Sequence, residues 1–120
     1  MIKVIIVDDS RIFRKMLKAV FVENGHEVIG EAGNGEEVLE LLKTCTPDLI
    51  TLDITMPVMD GIEALKNIRN ADSSAKVIMV TAAGQKSKML EAIKYGATEF
   101  LAKPFEADQI TDVVSKVINK

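Results

Sequence analysis

Five short apolar runs recur along the chain: Ile2 to Val7, Val28 to Ala32, Leu49 to Leu52, Val77 to Val80 and Phe100 to Ala102. They are mostly rich in β-branched or large apolar residues, which suits strands buried on both faces of a sheet. Amphipathic stretches separate them. The stretch after the last run carries Ile110, Val113, Val114, Val117 and Ile118 at the i, i+3, i+4, i+7, i+8 spacing of a helix with one apolar face. The first reads likewise through Phe13, Leu17, Val20 and Phe21. Ser10 is placed to cap the first helix, Asn24 and Gly25 to end it, and Gly96 to end the fourth. Strict alternation of strand and helix predicts an α/β fold. Right-handed crossovers then place the five helices on both faces of a doubly wound, five-stranded parallel sheet.

Composition narrows the class. With 120 residues, 48% hydrophobic and 28% charged, the chain is sized for one compact domain spanning residues 1–120. A formal charge of −3 argues against sequence-independent nucleic-acid binding. Cys45 is the only cysteine, so no internal disulfide forms, and it reads as a small residue near a helix end. The N-terminal "MIKVIIVDD" is too briefly apolar for a secretory signal or a membrane span, and a cytoplasmic protein is expected. His26 follows "NG" with no second histidine nearby and reads as a solvated turn residue. Met16, Met79 and Met89 read as core or near-core, and Tyr95 as a helix-end residue. Lys86, Lys88 and Lys94 share one exposed helix, either as a solvated face or as part of a partner surface.

The chemistry collects where the runs end. Asp8 and Asp9 follow the first, Asp53 the third, Thr81 the fourth and Lys103 the fifth. In a parallel sheet these positions lie along one edge, where open α/β folds bind their ligands. If the first and third strands are neighbours, three carboxylates converge, and their repulsion raises at least one pKa unless a cation intervenes. A hard divalent ion, Mg²⁺ or Mn²⁺, suits such oxygen donors better than zinc does. Lys103 and Thr81 facing this group would receive a phosphoryl anion, with Asp53 as the nucleophile that attacks phosphorus.

These residues sit in the motifs "VDDS" (7 to 10), "LDITMPVMDG" (52 to 61), "VTAA" (80 to 83) and "AKPF" (102 to 105). In their order and spacing, across nearly the whole chain, the sequence resembles a response-regulator receiver domain, and more narrowly the single-domain chemotaxis regulators of the CheY type. The resemblance implies the flavodoxin-like strand order 2-1-3-4-5. It implies Asp53 as phosphoacceptor, and Asp9, Asp53 and the backbone carbonyl of Thr55 as direct Mg²⁺ ligands, with Asp8 acting through metal-bound water. It implies Lys103 as the phosphoryl contact, a cis Lys103–Pro104 peptide, and a switch made by Thr81 and Phe100. Thr55 and Ala83 occupy positions that tune acyl-phosphate lifetime. The implied partners are a CheA-like histidine kinase, a phosphatase and an output protein such as the flagellar switch. The last would bind the face formed by the fourth helix, fifth strand and fifth helix of a monomer. A stand-alone phosphorelay module is the alternative.

Rival classes fit less well. "LDITMP" resembles the DxDxT motif of haloacid-dehalogenase-like phosphohydrolases, but position 55 is threonine where their acid/base aspartate stands. A flavodoxin would need its first loop to hold a phosphate, which Asp8 and Asp9 repel without a metal. "GNG" at 33 to 35 is too incomplete for a dinucleotide fingerprint. The chain is expected to be a phosphoacceptor signalling protein, not an enzyme, catalysing only its own phosphoryl transfer and slow self-dephosphorylation.

Overall fold

The computed structural model describes residues 1–71, 74–82 and 85–119. Its elements run β1 (Lys3–Val7), α1 (Arg11–Glu23), β2 (Glu27–Ala32), α2 (Gly35–Leu41), β3 (Leu49–Asp53), α3 (Gly61–Asn70), β4 (Lys76–Thr81), α4 (Lys86–Lys94), β5 (Glu99–Ala102) and α5 (Ala107–Ile118). The strands form one parallel sheet in the order β2-β1-β3-β4-β5. The chain winds from β1 to β2 on one side and then crosses to β3 on the other. The direction therefore reverses between β1 and β3, which opens a crevice beyond their carboxyl ends.

Helices cover both faces because alternate residues of each central strand point to opposite sides and both sets are apolar. Ile5, Val7, Ile50, Leu52, Val77 and Met79 pack with Val38 of α2, Ile62, Leu65 and Ile68 of α3 and Ala92 of α4. On the other side Val4, Ile6, Leu49, Ile78, Val80 and Leu101 pack with Leu17, Val20 and Phe21 of α1 and Ile110, Val114 and Val117 of α5. The helix signals act as expected. Ser10 Oγ accepts from Phe13 N at 3.3 Å, Asn24 caps the end of α1, and Gly25 and Gly96 take positive φ angles of 82° and 90°. "GNG" is a helix start, with Asn34 Oδ1 accepting from Glu37 N at 3.0 Å. Cys45 packs partly buried against the α2–α4 side, and Tyr95 is the C-cap of α4.

Three expectations need correction. His26 is not merely a solvated turn residue: its Nδ1 accepts from Ile2 N at 3.2 Å and its ring meets Phe21 edge-on, so burial and then the nearby N-terminal charge lower its pKa. Met79 is fully buried and Met89 partly so, but Met16 is exposed, because it stands at the margin of the α1 stripe that Leu17, Val20 and Phe21 bury. Lys86, Lys88 and Lys94 are exposed on α4, yet they do not form one face. Residues two apart on a helix point to nearly opposite sides, and Lys88 turns toward Asp60 at the start of α3, 3.7 Å away. Among the described residues no helix is long and apolar enough to cross a membrane.

Candidate phosphoacceptor site

Strand register builds the site. Val7 lies opposite Leu52, so the next residues, Asp8 and Asp53, emerge side by side at the ends of β1 and β3. On the other flank Asp53 lies opposite Val80, and Thr81 opposite Ala102, so Lys103 leaves β5 beside Thr81. The Lys103 backbone N–H donates to Thr81 O at 2.6 Å, and the Lys103–Pro104 peptide is cis. Five sequence-expected residues are thus brought together: Asp8, Asp9, Asp53, Thr81 and Lys103.

Charge and burial are opposed here. Asp8 and Asp53 are 1% and 6% exposed, and carboxylate oxygens of Asp8, Asp9 and Asp53 all lie within 4.8 Å of one another. Lys103 Nζ sits 3.0 Å from Asp8 Oδ2 and 3.5 Å from Asp53 Oδ2, a single cation between two buried anions. Backbone donors add a little: Ser10 N to Asp8 Oδ1 at 2.8 Å, and Thr55 N to Asp53 Oδ1 at 3.3 Å. They do not suffice. Burial first, then the charge of Asp8, pushes the Asp53 carboxyl up to about 6, against the opposing pull of Lys103 and the Thr55 N–H. Asp8 Oδ2 is buried with no hydrogen-bond partner, and its contact with Lys103 is an ion pair only. A buried carboxylate oxygen without a hydrogen bond, among three acids that share one lysine, is the donor set a hard divalent cation fits.

The structure also supplies supports that the sequence did not disclose. Phe13, read as part of an apolar stripe, lies beneath Lys103 with its ring centroid 4.1 Å from Nζ, which directs the ammonium toward the acids. Arg14 Nη1 donates to the backbone carbonyl of Asp8. Gln85 reaches across to the Thr55 hydroxyl. Of the switch pair, Thr81 is buried at the end of β4. Phe100 lies opposite Met79 and packs against the α2–α4 side of the core. Since paired parallel residues share a face and alternate along the strand, Phe100 and Thr81 stand on the same face, one diagonal apart. Ala83 lies outside the described residues.

A doubly wound sheet of this order, with acids, a hydroxyl and a lysine converging at its switch point, defines a class of α/β proteins whose polar site lies beyond the strand ends. Residues 4–115 match the response regulator receiver domain, and the chain belongs to that family. Within it, the chain is closely related to the CheY chemotaxis regulators, as befits a two-component response regulator of chemotaxis. It is 47% identical to the chemotaxis protein CheY of Bacillus subtilis over 98% of both chains, and 46% identical to that of Thermotoga maritima over 96% of both. The CheX-CheY-BeF3-Mg complex of Borrelia burgdorferi superposes with a TM-score of 0.93 at 38% identity, covering 98% of this chain and 90% of that one.

Proposed function

We propose that Asp53 accepts a phosphoryl group from the phosphohistidine of a CheA-like kinase and that the modified chain then engages an output protein. The observation that carries this reading is the crowding of Asp8, Asp9 and Asp53 around one lysine at the switch point, which leaves Asp53 pushed up to about 6 and Asp8 Oδ2 without a hydrogen bond. Asp9, Asp53 and the Thr55 carbonyl would hold Mg²⁺ or Mn²⁺, with Asp8 reaching it through water, and a bound ion supplies the positive charge the cluster lacks.

The residues then divide the work. A carboxylate oxygen of Asp53 attacks phosphorus in line, the phosphorus–nitrogen bond of the donor breaks, and a mixed anhydride forms on Asp53 while the imidazole takes up a proton. Lys103 Nζ, aimed by Phe13, pairs with a phosphoryl oxygen as charge builds there. The Thr81 hydroxyl donates to another. Drawing Thr81 toward the phosphoryl group vacates space on the sheet face that it shares with Phe100, and the ring turns inward. A few kcal/mol of preference between these two packings is enough to change the α4–β5–α5 surface offered to a partner. The flagellar switch is the output this reading favours. Slow hydrolysis of the anhydride, aided by a phosphatase, resets the chain. The Borrelia relative's complex with CheX supports a CheX-like protein as a further partner.

Incubation with acetyl phosphate, with and without Mg²⁺, tests the site. Intact mass should show one base-labile phosphate on the wild type only when Mg²⁺ is present, and none on Asp53→Asn. Equal labelling of the two proteins would refute the assignment.

A further inference from the structure

The stretch "RIFRKMLK" opens α1 with Arg11, Arg14, Lys15 and Lys18. Spaced i, i+3, i+4 and i+7, these four stand on one face of the helix, as an apolar stripe would. Local physics disfavours the arrangement. Like charges three and four residues apart on a helix repel, and the first turn favours acidic side chains, of which α1 has none. The fold supplies little compensation. Glu31 is shared between Arg14 at 3.4 Å and Lys18 at 3.7 Å, while exposed Arg11 and Lys15 make no ion pair among the described residues. In a chain whose net charge is −3, this concentration of cations runs against the balance of the whole.

The four cations line an open hollow of about 810 Å³, together with Ala32 at the end of β2 and Gly33 after it. Of the two acids there, Glu31 is held by Arg14 and Lys18, and Glu37 Oε1 accepts from Gly33 N at 2.6 Å. Asp8, Asp53 and Lys103 do not line it, so the hollow is distinct from the phosphoacceptor cluster. We propose that this hollow binds a linear polyphosphate chain. The surplus of positive charge calls for a multiply charged anion. From Arg11 to Lys18 the helix rises about 10 Å, the reach of a short run of phosphates and more than one compact anion can span. Guanidinium forks and ammonium groups are the donors that phosphoryl oxygens accept from most strongly. No aromatic side chain lines the hollow, and its only apolar side chain is that of Ala32. It therefore recognises the phosphates and not a nucleobase, which would need a face to stack on. An anion seated there offsets the repulsion along α1, so its binding stabilises the folded chain.

The test titrates sodium tripolyphosphate into the full chain by calorimetry, without divalent metal, which the probe would chelate. Saturable binding at one site is expected, weakened by added salt. ATP carries the same phosphate chain on a nucleoside and should bind no more tightly. Inorganic phosphate should bind roughly tenfold more weakly or worse, since it reaches fewer of the cations. The double variant Arg11→Gln/Lys15→Gln should weaken tripolyphosphate binding by roughly tenfold or more, through loss of two charge-assisted contacts. Without the anion this variant should unfold at a temperature no lower than the wild type's, because it relieves like-charge repulsion; that separates a binding role from a structural one. Lys86→Gln/Lys94→Gln makes the same change of charge on α4 and should leave binding within about twofold of the wild type, since distant surface charges are screened. No saturable binding to the wild type, an α1 variant that binds as the wild type does, an α4 variant weakened as much, or ATP bound markedly more tightly would each overturn the inference. No step of it uses Asp53, so each of these outcomes leaves the receiver reading standing.

Discussion

Asp53 is held where burial and a neighbouring acid disfavour its charge. Its carboxyl is pushed up to about 6 from an ordinary 3.8, by burial first and by Asp8 second. Between these two pH values the folded chain binds a proton that the unfolded chain does not, so this group's contribution to stability improves as pH falls from about 6 to about 4 and is worst above pH 7. Asparagine has no such charge. In the absence of divalent metal, Asp53→Asn is expected to exceed the wild type in unfolding free energy by on the order of 3 kcal/mol at pH 8, with the gain shrinking toward pH 4. Urea denaturation at a series of pH values measures this. A gain that is flat with pH, or a loss, would mean that the carboxylate is satisfied by its protein neighbours. Residues of this kind were legible in the sequence because a charge at the end of an apolar run stands out. Phe13 was not: its place in a helical stripe is the same whether its ring meets another apolar side chain or the Lys103 ammonium.

At the scale of elements, α3 is held unusually close to the strand that bears Asp53. Gly61, the first residue of α3, donates its N–H to Ile54 O at 2.7 Å, and a Cβ at this position would stand 2.2 Å from the Asp53 carbonyl oxygen and 2.6 Å from Ile54 Cα. Both are backbone atoms, so neither yields by rotating. Gly61→Ala should therefore lower stability by about 2 kcal/mol or more. It should also displace the Asp53 backbone, so that phosphate labelling falls even in molecules that remain folded. Denaturation and labelling of the same preparation check both, and an alanine variant with wild-type stability would contradict the packing. The glycine in "MDG" gave no sign in the sequence of which backbone it approaches. The strands and helices were readable because periodicity is local. The bridge from Gln85 to Thr55 joins positions 30 apart, and no local pattern encodes it. Helix faces were readable only in part, as Met16 and the lysines of α4 illustrate.

Across the whole molecule, strand order does the assembling. Asp8, Asp53, Thr81 and Lys103 come from the carboxyl ends of four strands, and the parallel order β2-β1-β3-β4-β5 delivers them to one rim with Phe100 on the adjoining sheet face. The order itself followed from resemblance, since alternation of strand and helix fixes the class of fold without fixing which strands are neighbours. The account depends on the rim's acids gathering so that one of them carries a phosphoryl group. Sodium borohydride reduces an acyl phosphate on aspartate to homoserine, which marks the modified residue permanently. Treating the acetyl-phosphate-labelled protein in this way and sequencing its peptides by mass spectrometry should find homoserine at position 53 and at no other aspartate. Homoserine at Asp8, Asp9 or a surface aspartate, or at none, would contradict the account.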